Sequence, residues 1–363
     1  MKRFLPTALI GLCMFIPQIS HAQEVIRAKV TKIISEEKTE VELGIGSGFV
    51  QLLEAATVFT KERGEEKILV TNDYVPLRVG NRIFIQGNSE AGYVVSEIDR
   101  TRALGVLAVA FLAVLVLFGG IQGIRGLASL IGSLLLIVFV LVPNLLTGAS
   151  PVLVSLSVAA LITVVGAYIT HGFSWTTSSA VLGMVATVAV TGVLSQLFIS
   201  SANLSGKTEE GIYLAVSTGG NINLVGILLG GMLIGLLGVL YDAAIGQAVA
   251  VEELCRANPN YSKKEMLARS LRIGREHIGA LVNTLAIAYV GASLPLLLLL
   301  SSAGTHSVGY TLNSELFATE IVRTLVGSIG LVLAIPVTTA LAVFILYPRR
   351  MQFVGTESHG HSH

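Results

Sequence analysis

From Thr101 onward the chain is a succession of apolar runs of about twenty residues, separated by short polar breaks. A stretch of about twenty residues at ~1.5 Å each crosses the ~30 Å of hydrocarbon in a bilayer. Seven such runs are legible, at 103–120, 127–146, 152–170, 176–199, 222–246, 278–301 and 321–346. Composition agrees, with 53% of residues hydrophobic and 13% charged, against about one quarter charged in a soluble domain. The expected fold class is an α-helical polytopic membrane protein with seven transmembrane helices over 101–348 and a cytoplasmic, His-containing tail over 349–363.

The N-terminus reads differently. Lys2 and Arg3, the apolar "FLPTALIGLCMFIP" and "SHA" before Gln23 have the form of a secretory signal over 1–22. Cleavage after Ala22 is expected, with an uncleaved anchor as the alternative. Residues 23–100 alternate in the strand manner: "VIRAKVTKII", "FVQLLEAATVFT", "EKILVTND", "NRIFIQG" and "GYVVSEI" are short β-rich runs between Gly, Asn and charged turns. They predict a small, barrel-like β-rich domain, carried across the membrane behind the signal and therefore extracytoplasmic. "VPLRVGNRIFI" has the form of a hairpin turn feeding a strand. This stretch holds no His and no Cys, so it reads as an interaction module, not a catalytic one. Cys13 and Cys255 are too few for a disulfide framework.

Positive charge orients the spans. Arg125 after the first span, the loop with Arg256, Lys263, Lys264, Arg269, Arg272 and Arg275, and the final Arg349 and Arg350 all fall on one side when seven spans are counted. That side is the cytoplasm. The opposite loops carry almost nothing basic apart from Lys207, beside Glu209 and Glu210. "IYLAVSTGGNINLV", before the fifth span, suits a re-entrant or interfacial helix.

Within "GVLYDAAIGQAVAVEEL" stands a carboxylate at membrane depth, Asp242. A charge there costs on the order of 2.5–3.5 kcal/mol. Gly231, Gly235, Gly238, Asp242 and Gly246 recur at steps of three and four and so share one helix face. A small-residue face admits another backbone closely, which predicts that Asp242 points into the bundle. Asn283 in the antiparallel sixth span has a similar depth, so an Asp242–Asn283 hydrogen bond is expected, with Thr284 and Gln247 as further partners. The alternative is that Asp242 is a hydrogen-bonded packing residue and nothing more.

A second polar group opens the seventh span. Glu320 and Arg323 are three apart and able to pair on one helix face, although Arg323 can instead snorkel to the interface. Arg323, Gly327, Gly330 and Ala334 form another close-packing line, and Pro336 is placed to bend the helix. Asn221 and Asn223 reach a comparable depth. In the basic inner loop, Ser262 and Glu265 form a capping box, and the following Met266, Leu267, Leu271 and Ile273 suit a helix lying on an anionic leaflet. This explains the basic residues without nucleic acid as a partner. His359, His361 and His363 read as a solvated tail rather than a metal site, and no cofactor is expected.

The blocks "GLLGVLYDAAIGQAVAVEEL", "NPNYSKKEMLARSLRIGREHIGALVNTLAIAYVGASLPLLLLL" and "NSELFATEIVRTLVGSIGLVLAIPVTT" resemble the signature of the YibE/F-like family of bacterial multi-spanning membrane proteins. The resemblance runs in order through roughly residues 24–348 and is most specific in the last three spans. The matching positions are Asp242, Gly274, Arg275, Asn283, Pro295, Asn313, Glu320, Arg323 and Pro336. Departures are Glu276–His277, where an Asp and an apolar residue are expected, and Gln247, where a small hydroxyl residue is commoner. The resemblance implies a multi-pass protein of the bacterial cytoplasmic membrane, described as a permease, without naming a substrate.

The expected function is therefore a permease for a small solute or ion through the polar interior of the last three spans. The alternative is a non-transporting sensor or assembly factor that uses the external β domain as receiver. The expected partners are the lipid bilayer and an unknown small solute or ion, with an oligomer left open. No HExxH, GxSxG or P-loop marks an enzyme.

Overall fold

The computed structural model describes residues 25–40, 47–57, 66–88, 91–220, 222–302 and 307–353. The signal segment, Asn221 and the three C-terminal histidines lie outside the described residues. Two compact units divide near Val114 and Leu115.

In the first unit, β1 (Ile26–Glu40), β2 (Ser47–Thr57), β3 (Lys67–Asn72), β4 (Arg82–Asn88) and β5 (Gly92–Ile98) close into a barrel in the order β1-β2-β3-β5-β4. With β3 and β5 parallel and the other pairs antiparallel, this is a Greek-key barrel of the OB type. Two register shifts bend β1, which lets one strand pair with both β4 and β2. The alternation read from the sequence sends Val30, Leu53, Ala55, Val70, Ile83 and Ile85 inward, each fully buried. Burying such a side chain stabilises by roughly 1.5–3 kcal/mol.

The turn in "VPLRVGNRIFI" exists, with Gly80 at φ +94°, but it does not make a hairpin. β3 and β4 are separated by β5 in the barrel, so the connector crosses over instead of folding back. A buried amide network pins that connector. Gln51 accepts from the Asn72 side chain (2.8 Å) and from the Leu77 backbone (2.9 Å), and donates to Glu36 (2.9 Å).

The remaining elements are helices: α1 (Thr101–Leu136), a π-helical turn, α2 (Val142–Leu146), α3 (Pro151–His171), α4 (Trp175–Ser201), α5 (Glu209–Ser217), α6 (Leu224–Ala257), α7 (Lys263–Ala292), α8 (Leu294–Ser302), α9 (Val308–Asn313) and α10 (Glu315–Leu346). Five continuous helical stretches are long and apolar enough to cross a membrane, or six when α7 and α8 count as one broken span. Two differences separate this from seven. Residues 101–146 form one helical run of 46 residues, interrupted at Gly120 with φ 51° and ψ −138°. The sixth apolar run is bent by 69° where α7 gives way to α8, with Pro295 in the first turn of the new helix, where a missing N–H is tolerated.

The bundle packs through small residues. On α6, Gly226 meets Pro151 and Gly230 approaches Ser155 of α3. Between α4 and α10, Gly183 meets Thr338 and Gly330 meets Thr191. Gly327 makes ordinary contacts with Leu285 and Leu236. The glycine line on α6 does not behave as its spacing predicts. Gly231, Gly235, Gly238 and Gly246 are exposed. A Cβ on Gly231, Gly238 or Gly246 would meet nothing within 4 Å, and one on Gly235 only the Tyr289 ring end. The inward face is instead Leu229, Leu233, Leu236, Leu240, Ala244, Gln247 and Val251. Lipid is as apolar as a protein core, so spacing reveals a small-residue face without saying whether a helix covers it.

The basic segment after α6 also differs from its expected place on the leaflet. The capping box at Ser262 and Glu265 forms, but Met266 and Ser270 are fully buried, and Met266 packs with Val251, Cys255 and Leu346. The segment is the first half of α7, and its apolar side faces the bundle.

Candidate functional site

Asp242 does not point into the bundle as its spacing predicts: it is exposed, on the open side of α6, at a cleft shared with α7. Ala243, Gly246 and Gln247 of α6, Ile273, His277 and Leu281 of α7, and Ile335 of α10 line it with Asp242 around a space of about 160 Å³. The α7 contributions fall at i, i+4 and i+8, one helix face.

Each polar group there is held by its surroundings. The ring nitrogen Nδ1 of His277 lies 3.1 Å from the Ile273 carbonyl oxygen. A carbonyl only accepts, so this bond places a proton on Nδ1 and leaves Nε2 as the ring position turned away from it. Gln247 forms the buried floor and donates through Nε2 to the Ser270 carbonyl at 2.7 Å. His171, at the end of α3, is close enough to interact electrostatically with Asp242, and its ring stands 5.9 Å from that of Tyr241. Among the described residues, no group of three His, Cys, Asp or Glu side chains is arranged to hold a metal.

The expected partners of Asp242 are distributed differently. Gln247 shares the cleft. Asn283 is exposed and stands about 200° around α7 from Leu281, so it does not meet Asp242. Thr284 is also exposed and donates to the Ala280 carbonyl of its own helix at 2.9 Å. Similar depth alone suggests these contacts, whereas helical phase decides them. His277, noted in the sequence only as a departure from the family pattern, lines the cleft instead, and His171, which the sequence does not single out, interacts with Asp242 electrostatically. The i, i+4, i+8 relation of Ile273, His277 and Leu281 is an available signal for the first.

Glu320 and Arg323 pair at 2.8 Å, each about one quarter exposed (23% and 27%). Ser293, at the bend between α7 and α8, donates to Glu320 at 3.2 Å. Beside this pair lies an almost wholly apolar cavity of about 270 Å³ with Tyr289, Phe317 and Leu296 in its wall. Asn223 acts locally, where its side chain accepts from the Gly226 amide at 2.9 Å and caps α6.

Gly274 sits where α7 passes Gln247. A Cβ there would come within 2.7 Å of the Gln247 amide oxygen and would collide with Ile335. Residues 107–348, two thirds of the chain, match the family described as YibE/F-like protein. The chain belongs to the YibE/F-like family. The match spans the helical region and leaves out the β barrel. No curated protein and no solved structure matches this YibE/F-like chain. Of the positions carried by the family resemblance, Gly274 is thus required by the approach of Gln247, Pro295 marks the α7–α8 bend, and Glu320 and Arg323 form the ion pair.

Proposed function

We propose that this YibE/F-like chain is a membrane permease whose α6–α7 cleft binds a small solute or a cation. Asp242 supplies the charge and His277 a proton acceptor beside it. One observation carries the reading: a carboxylate on the apolar helix α6 and an imidazole on α7, the first arm of the bent α7–α8 pair, line the same cleft. An ionisable residue at that depth costs on the order of 2.5–3.5 kcal/mol, and no hydrogen bond from Asp242 to a neighbouring helix offsets this among the described residues. A carboxylate and an imidazole sharing one cleft suit proton or cation exchange.

The same reading includes seven crossings, with the barrel extracytoplasmic, the C-terminus cytoplasmic and the chain in the bacterial cytoplasmic membrane. The break at Gly120 supports two spans in residues 101–146. A Cβ on Gly123 would lie 2.5 Å from the Leu115 carbonyl oxygen, whereas eight residues of straight helix separate such atoms by about 12 Å. The chain turns back on itself there. The distribution of Lys and Arg favours the orientation.

The test is flux in proteoliposomes under an imposed proton or cation gradient, for the native chain beside Asp242→Asn and His277→Gln. Lost flux with normal membrane yield supports the permease, and full flux in Asp242→Asn would remove Asp242 from the mechanism. The OB-type barrel favours a second reading, a sensor, because such barrels bind extended ligands on an outer sheet face. An absence of flux for any gradient, together with ligand-dependent protection of the barrel, would select it.

A further inference from the structure

β5 ends at Ile98 and α1 begins at Thr101, so Asp99 and Arg100 are the whole joint between the barrel and an apolar helix. Asp99 accepts from the Thr101 amide at 3.0 Å, and its own amide donates to the Arg82 carbonyl at 2.9 Å. The joint is tied to the helix and to the start of β4 at once. The end of the barrel that carries Ile98 and Arg82 is therefore held at the level where α1 enters hydrocarbon.

That end is basic. Lys29 pairs with Arg82 across the β1–β4 ladder, Arg78 lies in the turn before β4, and Arg102 is in the first turn of α1. All four are exposed, and none forms an ion pair among the described residues. The acids nearby are Asp73, Glu97, Asp99 and Glu36, the last of which accepts from Gln51 at 2.9 Å. Glu97 is engaged by Arg100 at 2.8 Å, and Asp99 accepts from the Thr101 amide and interacts electrostatically with Arg27 and Arg82. If this end lies outside the cytoplasm, where positive charge is normally scarce beside a span, its cations need a local reason.

The same end also exposes apolar side chains. Tyr74, Val75 and Val79, on the β3–β4 connector, are 46%, 39% and 61% exposed. Tyr74 interacts with Arg100, which keeps the connector beside the joint. The connector is held in shape rather than loose. Asn72 donates to the Val75 carbonyl at 2.9 Å, Leu77 is buried in the barrel, and the Arg78 amide donates to the Asn81 side chain at 2.7 Å.

We propose that this end of the barrel is a lipid-docking surface for anionic phospholipids of the membrane that α1 enters. Lys29, Arg78, Arg82 and Arg102 take headgroup phosphates, and Tyr74, Val75 and Val79 sit at the headgroup–acyl boundary. Basic side chains flanking short apolar ones match that layered chemistry, and continuity with a spanning helix brings the surface to it.

The test uses the full chain with Trp175→Phe and Val79→Trp, which leaves one indole on the connector. It is reconstituted into vesicles with brominated acyl chains, either phosphatidylcholine alone or with phosphatidylglycerol. The expected result is a blue-shifted, bromine-quenched indole in the anionic vesicles and an aqueous, unquenched one in phosphatidylcholine. Arg78→Glu with Arg82→Glu should lower the docked-to-free ratio by about five-fold for each cation lost. Changing only the lipid keeps the same folded protein, so misfolding cannot mimic the result. An indole that stays aqueous in both vesicles, or is equally quenched in both, overturns the proposal.

Discussion

The amide oxygen of Gln247 fills the space that a side chain on Gly274 would need, 2.7 Å from the position of its Cβ. The buried amide on α6 can lie across α7, and donate to the Ser270 carbonyl, only because residue 274 is glycine. Gly274→Ala should therefore force the amide or Ile335 aside at a cost of about 1–3 kcal/mol. Thermal unfolding in detergent should show a lowered midpoint. Gln247→Ala in the same background should recover part of it, and an undiminished midpoint in Gly274→Ala would refute the close approach.

The Glu320–Arg323 pair predicts strong coupling. Removing either partner leaves a partly buried charge without its counter-charge, at roughly 1.5–3 kcal/mol. Single Ala substitutions should each reduce folded protein in membranes, and the double substitution should lose less than their sum. Additive losses would show that the 2.8 Å contact contributes nothing.

Parity of the spans is checked by reporter fusions after Asp99 and after Phe353. Seven crossings place these points on opposite sides, and six place them on the same side. A further fusion in the turn at Gly120 should report the cytoplasm if residues 101–146 cross twice.

The barrel should lose local stability in acid at one defined contact. Lys67, 3.0 Å away, and secondarily the Thr31 hydroxyl hold the Glu54 carboxyl below its ordinary value. Because the folded value is depressed, the contribution is present above the ordinary carboxylate value of about 4.3 and is lost as pH falls through the lowered one. Amide exchange along β2 and β3 should rise over that window in the native chain. Glu54→Gln should flatten the rise, and an unchanged acid profile in that variant would exclude this contact as its cause.

Sequence alone determined the elements whose signals are local. Uninterrupted apolar length marks the helical spans, period-two alternation marks the strands, and Ser262 with Glu265 announces a helix start that the structure contains. Asp242 is conspicuous for the same reason, because a carboxylate among Leu and Gly is visible without knowing what surrounds it. Tertiary structure decided which side of each helix faces which neighbour. In a bilayer the hydrophobic period does not distinguish a lipid-facing side from a buried one, so Gly231, Gly238 and Gly246 are open while Leu233 and Leu240 turn inward. Helical phase then separates Asn283 from Asp242 and brings His277 to the cleft instead. Barrel closure through β5 likewise turns an expected hairpin into a crossover, because strand order depends on pairings between residues far apart in the chain.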